Sequence, residues 1–288
     1  MKRWMGWFLG AWLLALALGS HMIQPYTQGW LAHHLPGLSR SFDTAQPAND
    51  GQTHQGHVHP YADERTWMGI AHAGDVLSNL AFLLAGLVGM LTLRRVKRAP
   101  MQSVRRPDPA RQGQLLAAHV FFLGLILTSL GSAWYHLAPD PARLVLDRLG
   151  MAIGFAGILA LAAQDQWGAD AGDRALAWLL PVALVSAILP HVQGNVLPWA
   201  LLQYGGVLYL VFVAWRQALG HTVAGRQRIH FGAVVAIYVV AKLLENADAA
   251  VFEWTGHLMS GHSLKHLVAA AAALPVLAAF QRQKHDIQ

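Results

Sequence analysis

Apolar residues in this chain gather in blocks long enough to cross a bilayer, and polar residues fall mostly between them. A first block runs from Trp4 to Gly19, directly after Lys2 and Arg3. It reads as an uncleaved anchor or a signal peptide over residues 1–21, since "ALALGS" offers small residues for cleavage. Residues 22–70 are rich in Gly, Pro, Asn, Gln and His, which predicts an extracytoplasmic loop with little regular structure. Seven further apolar segments follow, over 73–93, 114–137, 144–164, 174–190, 196–215, 229–247 and 262–281. Each is long enough for a hydrocarbon layer of ~30 Å at ~1.5 Å of rise per residue. The expected fold is all-α, a polytopic seven-transmembrane-helix bundle over residues 71–288 behind the N-terminal anchor or signal segment. The chain shows neither an internal repeat period nor a separate soluble domain.

Basic residues orient this bundle. "RRVKRAPMQSVRRPDPAR" carries seven Lys or Arg, and "WRQALGHTVAGRQR" with the tail "QRQK" carries five more. Loops 138–143, 191–195 and 248–261 hold only Arg143. The positive-inside rule then puts the basic loops in the cytoplasm and the His-rich loop outside, the periplasm in a bacterial inner membrane. Composition agrees, since 55% hydrophobic and 12% charged residues exclude an ordinary soluble protein. The net charge of +6 resides in those loops, so it reports topology and not nucleic-acid binding. With no cysteine, disulfides and thiolate metal sites are excluded, and sixteen histidines are the plentiful soft ligands.

On this map three polar clusters fall at one height, near the outer face. Ser132 and His136 in "GSAWYHLAPDPARLVLDRLGM" lie four apart and share a helix face. Pro139 and Pro141 turn the chain, and Asp147 follows about one turn into the next helix. His262 and His266 in "GHSLKH" open the last helix, again four apart. Three imidazoles that can converge suit a zinc ion with one position open, the catalytic kind of site. Zinc polarises a carbonyl and makes water acidic. Asp147 would take the water's proton or orient a ligand histidine, and Ser132 would hydrogen-bond a developing oxyanion. Each part has a plainer reading: a histidine pair without metal, a serine bonded to a carbonyl one turn back, an aspartate paired with Arg148 or Arg143. Their coincidence at one level favours function, because ionisable groups inside a membrane are costly.

These residues resemble the alkaline ceramidase family, within the seven-helix membrane hydrolases that include the progestin and adipoQ receptors. "SAWYH" supplies the family's Ser-x-x-x-His as Ser132 and His136, "LDRLGM" its Asp as Asp147, and "HSLKH" its His-x-x-x-His as His262 and His266. The Ser78-Asn79 pair in "DVLSNLAFLLAGLVGM" is also similar, and the resemblance covers about residues 61–282. It implies zinc on His136, His262 and His266, Ser132 and Asp147 beside the water, and hydrolysis of a ceramide amide to a fatty acid and a sphingoid base. Eukaryotic members carry an acidic calcium site near the first core helix. Asp63, Glu64 and Asp75 are present here, but His72 stands where a glutamate is expected, so calcium is not carried over. The substrate is then ceramide or another N-acyl membrane lipid.

Other residues carry weaker signals. His54, His57 and His59 read as a weakly metal-binding loop. His119 lies seventeen residues before His136, ~25 Å along the helix, and is excluded from the site. Lys265 points away from the paired histidines, snorkelling or meeting a lipid phosphate or carboxylate. Glu245 and Asp248 line the access to the site, orient a histidine or cap a helix. Ser78 and Asn79 pack helices, most of the scattered tryptophans form interface belts, and Gly205-Gly206 is a helix contact. The leading function is a zinc-dependent lipid amidase. The alternatives are a ceramidase-like lipid sensor with a structural zinc, and a haem or metal-transport protein.

Overall fold

The computed structural model describes residues 6–19, 61–98, 109–221 and 229–285. His54, His57 and His59 and most of the two basic loops lie outside the described residues. Among the described residues the chain is almost wholly helical, with one isolated bridge between Trp67 and Ile70. We number the helices α1 Gly6–Gly19, α2 Ala73–Ser78, α3 Leu80–Arg98, α4 Pro109–Leu137, α5 Pro141–Trp167 and α6 Ala169–Gln193. There follow α7 Leu197–Ala218, α8 Phe231–Asn246, α9 Asp248–Trp254, α10 Gly261–Ala270 and α11 Ala273–His285.

Among the described residues, six helical spans are long and apolar enough to cross a membrane: Ala73–Lys97, Gln112–Leu137, Pro141–Trp167, Ala169–Gln193, Leu197–Ala218 and Gly261–Gln281. The protein is therefore an all-α, multi-pass membrane protein. Two spans are interrupted: α2 meets α3 at Asn79, and α10 meets α11 at a turn over Ala271 and Ala272. The segment expected over 229–247 forms α8, whose 16 residues are fewer than the other spans have. Asp248 then restarts the helix as α9 instead of opening a loop.

Small residues set the tightest packing. A Cβ on Gly124 of α4 would lie 2.2 Å from the backbone nitrogen of Gly154 on α5, and one on Gly150 would lie 2.3 Å from the nitrogen of Thr128. The two backbones therefore touch, which only glycine permits. One turn further, Gly131 faces the Leu146 carbonyl at 2.4 Å from its own ideal Cβ. That contact fixes the register of its neighbours, Ser132 on α4 and Asp147 on α5. The turn between these helices follows the sequence signals: Asp140 caps α5 by accepting from the Ala142 and Arg143 amides at 2.8 and 2.9 Å, and Pro141 follows it.

Two features differ from expectation. The end of the polar stretch, from Tyr61, is folded onto the bundle: Tyr61 and Asp63 are buried, and the Ala62 amide donates to Asp248 Oδ2 at 3.0 Å. Trp12 and Trp199 are buried too, whereas Trp7, Trp67, Trp134, Trp178, Trp215 and Trp254 are exposed as an interface belt requires. Trp12 has a partner for its indole N–H, Ser186 Oγ at 2.8 Å, which ties α1 to α6.

Candidate metal centre

His136 enters from the last turn of α4, and His262 and His266 from successive turns of α10. All three are buried, and one nitrogen from each lies within 4.8 Å of the others. His136 Nε2 and His262 Nε2 are 3.3 Å apart. Two ligands on a tetrahedral ion at 2.0–2.1 Å are separated by about 3.3 Å, so this spacing fits an ion between them. The ring centroids are 4.9 Å (His136–His262), 5.3 Å (His136–His266) and 4.8 Å (His262–His266), with every pair edge-to-face. That propeller aims nitrogens at a common point. It leaves no slot for a macrocycle held from opposite faces, so it does not suit haem.

The surroundings prepare His266 as a ligand. The Ser78 hydroxyl donates its one hydrogen to the Asp75 carbonyl at 3.0 Å. Its oxygen, 2.8 Å from His266 Nδ1, therefore accepts the Nδ1 proton. That tautomer leaves the Nε2 lone pair for a metal. Ser78 thus holds a histidine in place, a role its reading as a packing group missed. The signal was present in the Ser78-Asn79 pair, but only the fold shows which ring it meets. Buried Asn79 reaches the Asp75 carbonyl through Nδ2 at 2.8 Å. His136 Nδ1, in contrast, is buried with no partner among the described residues.

The start of α10 is fixed by two contacts. Ser260 caps it, accepting from the Ser263 amide at 3.0 Å. Asp248 Oδ1 accepts from the His262 amide at 2.7 Å, while Oδ2 takes the Ala62 amide. A Cβ on Gly261 would lie 2.2 Å from the Leu244 carbonyl, so the chain passes against α8 there. Asp248 thus caps the first turn of α10, the turn that carries His262, and it also lines the cavity around the three histidines.

Ser132 and Asp147 both line the cavity that holds the three histidines, and the Ser132 hydroxyl hydrogen-bonds the Asp147 carboxylate. Arg143, one candidate partner for that carboxylate, is engaged by Asp140 at 2.9 Å. His119 bonds the Leu115 carbonyl at 2.6 Å and does not line the cavity. Lys265 corrects the reading that turned it away from the site: its Nζ stands 3.1 Å from His262 Nε2 and 3.1 Å from Glu245 Oε1. A lysine one position before His266 projects sideways on the helix, and here that side faces α8.

Tyr61 covers the centre. Its ring meets His136 and His262 edge-on, at 4.9 and 4.7 Å between centroids. Its hydroxyl pairs with Tyr135, and burial holds the phenol well above its usual pKa, so it stays protonated. Nothing in the sequence marks it, because it sits at the edge of a polar stretch. Below the centre the cavity, about 290 Å³, continues between apolar side chains that include Phe121, Ile158 and Leu210. The buried histidines can hold a metal ion, whose identity the donor set alone does not fix. Compared with protein-family models and with curated protein sequences, the chain matches none.

Proposed function

We propose that this protein is a seven-helix membrane amidohydrolase that depends on zinc and cleaves the amide of ceramide or a related N-acyl lipid. The observation that carries the reading is the cavity: three converging imidazoles at one end, Ser132 and Asp147 on its wall, and an apolar extension the length of several helical turns. An apolar cavity with a few convergent polar groups suits an acyl chain ending in an amide. The span that completes the seven is α8, sixth along the chain and ~24 Å long by rise, a length a bilayer accommodates by local thinning. The N-terminal α1 is read as the anchor. The positive-inside rule sets the site end towards the periplasm of an inner membrane.

His136, His262 and His266 would hold the ion, which supplies Lewis acidity towards a carbonyl and towards water. Asp147 accepts the proton lost by the attacking water and passes it to the leaving amine. The hydroxyl goes to the acyl carbon, so the products are a fatty acid and an amine. Ser132 rests on the Asp147 carboxylate. When that carboxylate takes up the proton, its demand for the hydroxyl falls, and Ser132 turns its hydrogen to the oxyanion. Tyr61 closes the outer side against bulk water.

Purified protein incubated with a total lipid extract, with and without chelator, tests this by mass spectrometry and metal analysis. We expect about one zinc per chain, as the three-histidine site holds a single ion, and fatty acid release that chelator abolishes. Unchanged release by His262→Ala would overturn the reading. Bound zinc with no lipid turned over would point to the sensor instead.

A further inference from the structure

The neck of the cavity carries a cation that the chemistry above leaves unused. Arg148 follows Asp147 on α5 and lines the same space, and only 6% of it is exposed. It makes neither an ion pair nor a hydrogen bond among the described residues. Its guanidinium lies over the ring of Trp199 on α7, 5.8 Å from the centroid, with the Asp147 charge in electrostatic reach. Gln203, one turn beyond Trp199, is also buried on the cavity wall, within the π-helical turn Leu201–Gly205. Such a turn inside an α-helix frequently marks a functional site. Past Arg148 and Gln203 the wall is apolar: Met151, Phe155 and Ile158 follow on α5, and Val207 and Leu210 on α7.

A guanidinium has five N–H donors and no acceptor, and the face of an indole attracts its charge without accepting in the plane of the fork. Asp147 supplies a compensating charge beyond ion-pair distance, so what Arg148 lacks is an acceptor. A buried donor in that state is costly, and a ligand that brings an acceptor to it is favoured. The Gln203 amide adds a carbonyl that accepts. A hydroxyl answers both groups, since it accepts from a guanidinium and donates to a carbonyl.

We propose that Arg148, with Gln203, recognises a hydroxyl on the acyl chain close to the amide, so that the preferred lipid is an N-(hydroxyacyl) amide. An acyl chain that enters the apolar extension from the metal centre has to pass Arg148. Because Arg148 adjoins Asp147 on the helix, the hydroxyl belongs on one of the first carbons after the carbonyl. That it lies on the acyl side rests on the amidohydrolase reading; that the cavity prefers a hydroxylated chain does not.

The test uses the full-length protein in detergent and three lipids that share one amine: N-palmitoylsphinganine and its 2-hydroxypalmitoyl and 3-hydroxypalmitoyl counterparts. Binding is read at low temperature by displacement of a fluorescent alkyl probe, and hydrolysis separately by fatty acid release. We expect one hydroxylated lipid to bind at least about tenfold more tightly than the plain one, the effect of one hydrogen bond to a charged group. Arg148→Met should bring that ratio close to one while leaving binding of the plain lipid intact. Gln203→Leu, a second variant that keeps the cation, should shrink the ratio in part. Equal binding of all three lipids by the wild-type protein, or a ratio unchanged in both variants, overturns the proposal. So does an Arg148→Met protein that hydrolyses all three more slowly by one common factor with the binding ratio kept, since the cation would then serve the reacting carbonyl. A hydroxyl preference in binding with no lipid hydrolysed would refute the amidohydrolase and uphold the hydroxyl site.

Discussion

Ser78 and Asp63 show how single side chains support the centre without touching an ion. Ser78 fixes the His266 tautomer through a hydroxyl whose own hydrogen is already committed. Ser78→Ala should weaken metal affinity by roughly 10–100-fold, the usual cost of losing a histidine's outer partner, measured by competition with a chelator of known affinity. Asp63 acts on the covering segment, binding Arg65 through both oxygens at 2.7 Å. The Arg65 hydrogen bonds hold its carboxyl below the usual range. A carboxyl depressed on folding stabilises the protein above its unfolded-state pKa and loses that contribution as pH falls through the folded value. Thermal stability should therefore drop as pH falls below about 4, and Asp63→Asn should be less stable at neutral pH and flatter across that acid range. Arg65 is largely exposed, so the difference should shrink in high salt. These residues were visible in the sequence only as types. Ser78 read as packing, because a partner 188 residues away has no local signature, and Asp63, whose partner Arg65 is two residues on, read as a calcium ligand not carried over.

At the scale of elements, the contact between α4 and α5 determines whether Ser132 and Asp147 meet. Gly124 faces the Gly154 backbone with no room for a Cβ, while a Cβ on Gly154 finds nothing nearer than 3.9 Å. Gly124→Ala should destabilise the protein by about 1–3 kcal/mol through overpacking, and Gly154→Ala should be nearly neutral, both read by thermal unfolding in detergent. A reversed order would mean the helices approach differently. Helix periodicity identified α4 and α5 and the prolines identified their turn, so the placing of His136 and Asp147 on either side of that turn was legible. The glycine contact was not, since a glycine in an apolar helix is common and its meaning depends on what lies opposite. The interruption at Asn79 and the helical restart at Asp248 were equally hidden. Both rest on side chains satisfying distant backbone groups.

For the whole molecule, the candidate metal centre draws on the first, second and last long spans. His136 lies on α4, His262 and His266 on α10, and Ser78 on α2. An ion that binds only the folded arrangement stabilises it in proportion to its occupancy. Chelation should therefore lower the unfolding temperature of the wild-type protein, and His266→Ala should start low and no longer respond to chelator. An equal chelator response in both would show that the stabilising ion sits elsewhere. Nothing in the sequence fixed this coupling in strength, although the three histidines and their shared level were readable from it.

By itself the sequence determined the class of molecule and the chemistry it could hold. Long apolar blocks must become helices in a bilayer, where every backbone polar group has to be satisfied within its own segment. The lack of cysteine left imidazole as the soft ligand, and four-residue spacings put those imidazoles on single helix faces. The tertiary structure decided which side chains complete the site: Tyr61 over the rings, Ser78 behind His266, Asp248 beneath the turn of His262, and Lys265 facing α8 instead of the lipid. Periodicity specifies which way a residue points on its own helix. What it meets there depends on the register and rotation of the neighbouring helices, which are set by packing between segments far apart in the chain.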